Sequence, residues 1–340
     1  MCAVILIHCQ AQGNSVADEY YQIILRQIIN FAVATFIFMA GYFAHPYKIR
    51  GGGRYWNRLK KLLIPYIIWS TFYSVLSSSD GLDPLRIIYH LITGKAQAQL
   101  YYIIVLLELT LLTPFLIKAL DSRKWSVFIM SLTPIYLLLC SGYRYYTEAE
   151  LSWMGRDFCA WIIFYYFGML VKHYGWKRIS NLHLIPMYFA ALAVSITEGF
   201  IVNFKLGMFS MAISQIDLTT MLYSLTVIAL IMNYWTDLRV EFSHQNEANR
   251  TNSNRFKSIK EKVISSLVYI GDISFGIYFC HTFVLRCVTF GLRRIGVMEI
   301  SSLPLIQFLQ FSLTLICSMI GIYIVQRVDA KRKLCPYIGF

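Results

Sequence analysis

Residues 98–118 read AQLYYIIVLLELTLLTPFLIK, with one carboxylate, Glu108, and no other charge before the closing Lys118. At about 1.5 Å per residue, a helix of this length crosses a hydrocarbon layer about 30 Å thick. Its backbone N–H and C=O groups meet no water there, so the run has to be helical and satisfy itself. It lacks the period-two alternation of a membrane barrel strand. Eight further runs of the same kind lie at about 21–44, 58–78, 125–141, 152–171, 184–203, 211–235, 264–290 and 301–326.

Composition agrees with this reading. Of 340 residues, 57% are apolar and only 14% charged, against roughly 25% charged in a soluble domain. The polar surface of a water-soluble globule is missing, and so is the polar bias of a disordered chain. The eight Cys include no CxxC pair, which argues against a zinc ribbon or a small disulfide scaffold.

Met1 to Cys9 (MCAVILIHC) is apolar but too short to span. It lacks the basic start and the small-residue cleavage site of a signal peptide. It reads instead as the second half of a helix that starts upstream. The expected fold is therefore all-α: one polytopic membrane helix bundle over residues 1–340, of about ten transmembrane helices, the first truncated.

Basic residues tend to stay on the cytoplasmic side. With a cytoplasmic N-terminus and ten crossings, twenty-two of the 31 Lys and Arg fall on the inside and six on the outside. Both termini are thus expected inside. The net charge of +13 follows from this topology and from contact with anionic membrane lipid rather than from nucleic acid. One long segment, about 236–263, is polar and carries both signs, and reads as a mobile cytoplasmic loop. Asn249-Arg250-Thr251 within it matches a glycosylation pattern by chance, since it lies inside.

Titratable groups within apolar spans are costly and mark either functional sites or structural locks. His8 closes the first apolar run. A neutral imidazole there can act as a general base on a hydroxyl, or can simply donate to a backbone carbonyl. His281, in GDISFGIYFCHTFVLR, lies on a helix running the same way at similar depth, so both rings can share one cavity. No third and fourth ligand accompanies them, which leaves no metal site. Arg54-Tyr-Trp-Asn-Arg58-Leu-Lys60-Lys61 is either an ordinary basic flank or a phosphate-binding cluster. Glu108 and Arg26 sit within spans, each suited to an ion pair with a partner that the sequence does not reveal. Asp157 and Asp217 lie near outer ends.

Taken together, several segments resemble acyltransferase family 3, the membrane O-acyltransferases of bacterial surface glycans. VILIHCQ is similar to the end of the family's first helix, where a cation stands eleven residues before a His. FIFMAGYF resembles the family's FF-x-x-SGY, with Ala40 for Ser. NRLKKLLIPYIIWS resembles R-x-x-R/K-x-x-x-P-Y, with Arg58, Lys61 and Pro65 matching. QLYYIIVLLELTLLTP resembles the HLWFL helix, with Gln99 for His and Tyr101 for Trp. FYYFGMLVKHYG, ISFGIYFCH and VQRVD match later helices. Within the family, the resemblance suggests the type of the enterobacterial common antigen O-acetyltransferases.

The resemblance implies transfer of an acetyl or other short acyl group from acyl-CoA to a hydroxyl of a cell-surface or lipid-linked saccharide, in a bacterial inner membrane. His8 corresponds to the essential His, acting as base or as acyl carrier. The position of its usual cationic partner falls upstream of Met1. Arg58 and Lys61 correspond to the basic face that meets the CoA phosphates. His281, Glu108 and Asp157 are expected on the acceptor side. Acetyl-CoA is a substrate here, with no permanently bound cofactor. The rival readings are a transporter or flippase of a glycan or lipid, which often carries inverted repeats that are not evident here, and a catalytically silent family member.

Overall fold

The computed structural model describes residues 1–9, 15–44, 52–78, 83–147, 149, 154–248, 255–329 and 334–340, with the backbone alone at 52–54 and 238–270. The helices in chain order are α1 (Cys2–His8), α2 (Val16–Ile29), α3 (Phe31–Tyr42), α4 (Gly52–Leu76), α5 (Pro84–Thr93), α6 (Tyr101–Ala119) and α7 (Arg123–Thr147). They continue with α8 (Ile162–Tyr174), α9 (Asn181–Leu206), α10 (Phe209–Ala212), α11 (Leu218–Ala248), α12 (Arg255–Arg294), α13 (Val297–Ile300), α14 (Leu303–Val328) and α15 (Cys335–Ile338). No strand occurs among the described residues.

Seven helical stretches are long and apolar enough to cross a membrane: Val16–Tyr42, Ala98–Ala119, Arg123–Thr147, Asn181–Leu206, Leu218–Asp237, Gly271–Arg294 and Leu303–Val328. The chain is an all-α polytopic membrane bundle. Apolar side chains left outside the protein core line single helix faces: Leu182, Ile185 and Phe189 on α9, and Phe308, Ile316 and Ile320 on α14. Those faces meet lipid.

Two expected spans take other forms, while the short run at 1–9 is helical over seven residues. α4 carries Arg58, Lys60 and Lys61 near its start, so its apolar part begins only at Leu62. The span expected at 152–171 is interrupted: Gly155 takes a left-handed φ of 72°, and Asp157 caps a 3-10 turn at Phe158–Ala160. What remains is α8, thirteen residues long. It can be short because most of it, from Ile162 to Tyr166 and on to Val171, is buried in protein rather than lipid.

The loop expected at about 236–263 is also corrected. α11 runs on to Ala248 and α12 begins at Arg255, so most of that segment is helix. Polarity alone does not break a helix, and the only strong breakers, Gly and Pro, are absent from 236–263. The Asn249-Arg250-Thr251 match lies outside the described residues.

α3 and α8 meet at backbone distance. A Cβ on Gly41 would stand 1.9 Å from the Tyr165 carbonyl oxygen, and one on Gly168 would stand 2.2 Å from that of Phe38. Small residues of this kind let helix backbones approach within a bilayer, where apolar burial alone gives little drive to associate.

Candidate functional site

The site begins where α1 ends. Val4, Ile5 and Ile7 are buried. Ile5 packs with Ile273, Ile277 and Ile322 from α12 and α14, and Val4 and Ile7 with Ile29 and Ala32 from α2 and α3. A helix end leaves carbonyls without intrahelical partners. Here the Arg26 guanidinium from α2 supplies one donor: Nη1 bonds to the Ile7 carbonyl at 2.9 Å. His8, the next residue, is thereby held inside the bundle.

The same face of α2 secures a second break in the backbone. Between α9 and α11 the chain leaves helical order at Gly207, re-forms the single turn α10 and passes through Ile213–Asp217. Irregular backbone at membrane depth has to be buried in protein with its polar groups satisfied. Arg26 Nε and Nη2 donate to the Ile213 carbonyl at 3.3 and 3.1 Å. Gln27 Nε2 donates to Ala212 at 2.9 Å and Asn30 Nδ2 to Ser214 at 2.9 Å. Arg144 Nη2 donates to the Ile216 carbonyl at 2.8 Å and pairs with Asp217. Arg26 thus serves backbone carbonyls and makes no ion pair among the described residues, unlike the ion pair that the sequence suggested.

Between these two breaks lies a cavity of ≈ 140 Å³. Its wall is largely apolar, with Val4, Ile7, Val33, Phe36 and Phe275. Its polar lining is His8, Gln99, Tyr101, Tyr102, Gln215, Ser274 and Tyr278. Several of these groups are oriented by bonds behind the wall. Gln99 Nε2 donates to Thr282 Oγ1 at 2.7 Å, Thr282 to the Tyr73 hydroxyl at 2.9 Å, and Tyr73 to the Phe279 carbonyl at 2.6 Å. That relay fixes the Gln99 amide and leaves its Oε1 buried with no partner among the described residues. Gln215 Nε2 donates to the Tyr101 hydroxyl, and its own Oε1 is likewise bare. Both amide oxygens lie beneath the cavity surface, so the polar groups left to meet a ligand are the His8 ring and the tyrosine hydroxyls.

His8 and His281 come together, with ring centroids 5.2 Å apart and planes inclined at 51°. His281 is completely buried and lies behind His8 rather than on the cavity wall. Its Nδ1 sits 3.0 Å from the Ile277 carbonyl and 2.8 Å from that of Tyr278.

Glu108 and Asp157 form a separate group. They interact electrostatically with each other, and neither lines the cavity. Asp157 accepts from the Tyr136 hydroxyl at 2.6 Å and from the Cys159 N–H at 2.9 Å. Those bonds hold the turn that leads into α8. Arg58 donates to the Ala40 carbonyl at 2.9 Å and interacts electrostatically with Tyr102, one wall of the cavity. Lys61 is exposed. The position where Ala stands for the usual Ser thus meets Arg58 through its backbone.

The polar wall was only partly legible. Gln99 and Tyr101 are visible in the sequence as the two departures in the sixth helix's motif, and both line the cavity. Gln215 and Tyr278 carried no signal, because Gln and Tyr are common in and beside spans. Among the described residues no three His, Cys, Asp or Glu side chains converge to hold a metal.

Comparison with known proteins adds one match. A family model described as an acyltransferase domain covers residues 1–327, nearly the whole chain. No curated protein and no solved structure matches. The matched region includes every helix that builds the cavity, from α1 to α12, and on that extent the chain belongs to acyltransferase family 3.

Proposed function

We propose that this acyltransferase moves an acetyl or other short acyl group from acyl-CoA to a hydroxyl of a cell-surface or lipid-linked saccharide, with His8 as general base. The observation that carries the reading is His8 itself: a histidine with no hydrogen bond among the described residues, on the wall of an intramembrane cavity that several further polar side chains line. The family supports a bacterial inner-membrane setting and the charge pattern both termini cytoplasmic, so that the donor arrives from the α4 side, where Arg58 and Lys61 meet the CoA phosphates.

The chemistry follows from the groups present. A neutral ring nitrogen of His8 takes the acceptor's hydroxyl proton as the oxygen attacks the acyl carbonyl carbon. The C–O bond forms and the C–S bond breaks. The CoA thiolate then recovers the proton from His8 and leaves as the free thiol. Arg26, an intramembrane cation that interacts electrostatically with His8, favours the negative charge that develops on the carbonyl oxygen or the thiolate.

The test is transfer of labelled acetyl from acetyl-CoA in membranes carrying the chain, in the presence of endogenous glycans. Label is expected in a saccharide or lipid-linked fraction. His8→Ala is expected to lower the rate by about 10²–10⁴-fold. Turnover within a few-fold of the parent would remove His8 from this role.

A further inference from the structure

His281 was expected on the acceptor side, yet it is buried behind His8 with no opening to the cavity. Its two ring nitrogens have different surroundings. Nδ1 faces two backbone carbonyls, Ile277 at 3.0 Å and Tyr278 at 2.8 Å. A carbonyl oxygen only accepts, so Nδ1 carries the proton. The neutral ring then presents Nε2 as a bare lone pair, and that atom is buried without a partner among the described residues. A buried acceptor left unsatisfied bears the full desolvation penalty of the group, which calls for an explanation beyond packing.

A group able to supply a donor stands beside it: His8. A centroid separation of 5.2 Å is close to the spacing of two imidazoles that share an N–H···N bond edge to edge. The bond is not made in this structure. No hydrogen bond holds the His8 ring among the described residues, however, so a reorientation of that ring completes it. Catalytic hydrogen bonds are often loose before the substrate binds.

We propose that His281 is a positioning residue: its Nε2 accepts a hydrogen bond from one ring N–H of His8, which leaves the other ring nitrogen of His8 bare as the base. It selects the tautomer of His8 and supports the ring as it takes the acceptor's proton, the part a carboxylate plays in other base assemblies. The two carbonyls on Nδ1 lock the arrangement from behind. This inference rests on the reading of His8 as base.

Three variants separate the two ideas, measured as labelled acetyl transfer per folded protein in the same membranes. His281→Gln can keep both bonds, its amide N–H on the carbonyls and its Oε1 toward His8. His281→Leu keeps neither. The expected result is a fall in kcat of about 10²-fold for His281→Leu, with KM for acetyl-CoA unchanged, and recovery to within about tenfold of the parent for His281→Gln. A His281→Leu variant with parental kcat overturns the proposal, as does a folded His281→Gln as inactive as His281→Leu. If His8→Ala itself retains parental turnover, the reading of His8 has failed instead. The unsubstituted protein gives an independent check that survives misfolding of any variant. In ¹⁵N NMR of histidine-labelled protein, His281 is expected as the neutral ring protonated at Nδ1. A ring protonated at Nε2 overturns the proposal.

Discussion

The contact between α3 and α8 and the junction of α1, α2 and the 207–217 segment lie in one bundle and solve opposite problems. At α3–α8, Gly41 and Gly168 bring two backbones together until a Cβ has no room. The surroundings are apolar, including Phe38, Tyr165 and Met169. At the other junction two helices stop inside the protein, and polar side chains from α2 complete the exposed carbonyls. Helix termini carry unsatisfied backbone groups, so ending a helix in the membrane requires donors, and donors bring charge and space with them. The first region is built for rigidity. The second holds a cavity and a titratable histidine.

Substitutions can break or sharpen that contrast. The largest effect belongs to the polar junction: His8→Ala is expected to remove about 10²–10⁴-fold of the transfer rate while leaving the melting temperature of the detergent-solubilised protein nearly unchanged. Arg26→Met comes next. It strips the donors from the Ile7 and Ile213 carbonyls, at about 1–3 kcal/mol for each group left unsatisfied, so stability and acyl transfer should fall together. A parental melting temperature in Arg26→Met would show that water or another donor reaches those carbonyls.

Gly168→Val probes the other region. Overpacking against Phe38 is expected to cost at least about 1–3 kcal/mol, seen as a lower melting temperature with a normal kcat in the fraction that remains folded. Gln99→Leu removes a polar side chain from the cavity wall and should raise the acceptor KM by up to about tenfold, the worth of one hydrogen bond, with no dependence on salt. Lys61→Ala is expected to do least. An exposed cation contributes at most about 1 kcal/mol, so KM for acyl-CoA should rise a few-fold at low ionic strength and converge on the parent as salt screens the charge. A salt-independent effect at Lys61 would mean that it makes a direct, desolvated contact.

The contrast also explains which parts of the site could be read in advance. His8 and His281 stood out because a titratable group is rare in an apolar run, and helix direction put them at one depth. Glu108 and Asp157 stood out for the same reason, yet the structure groups them apart from the cavity, with Asp157 holding a turn through Tyr136 and the Cys159 N–H. Rarity marks a residue as having a task and does not say which one. Gln27 and Asn30 were passed over although they hold the 207–217 segment. Their partners are backbone carbonyls more than 180 residues away, and a carbonyl has no signature in a sequence.

By itself the sequence determined the membrane environment, the helical class and the approximate spans, because hydrocarbon forces every long apolar run to satisfy its own backbone. It also carried the family resemblance in short motifs spread from Val4 to Asp329. Only the tertiary structure decided where a helix stops short, as α8 does, since a short helix survives only if protein covers its ends. It alone decided that His281 stands behind His8 and that Arg26 joins two broken backbones. Those outcomes depend on distances between segments far apart in the chain, and the local rules of hydropathy and charge do not contain them.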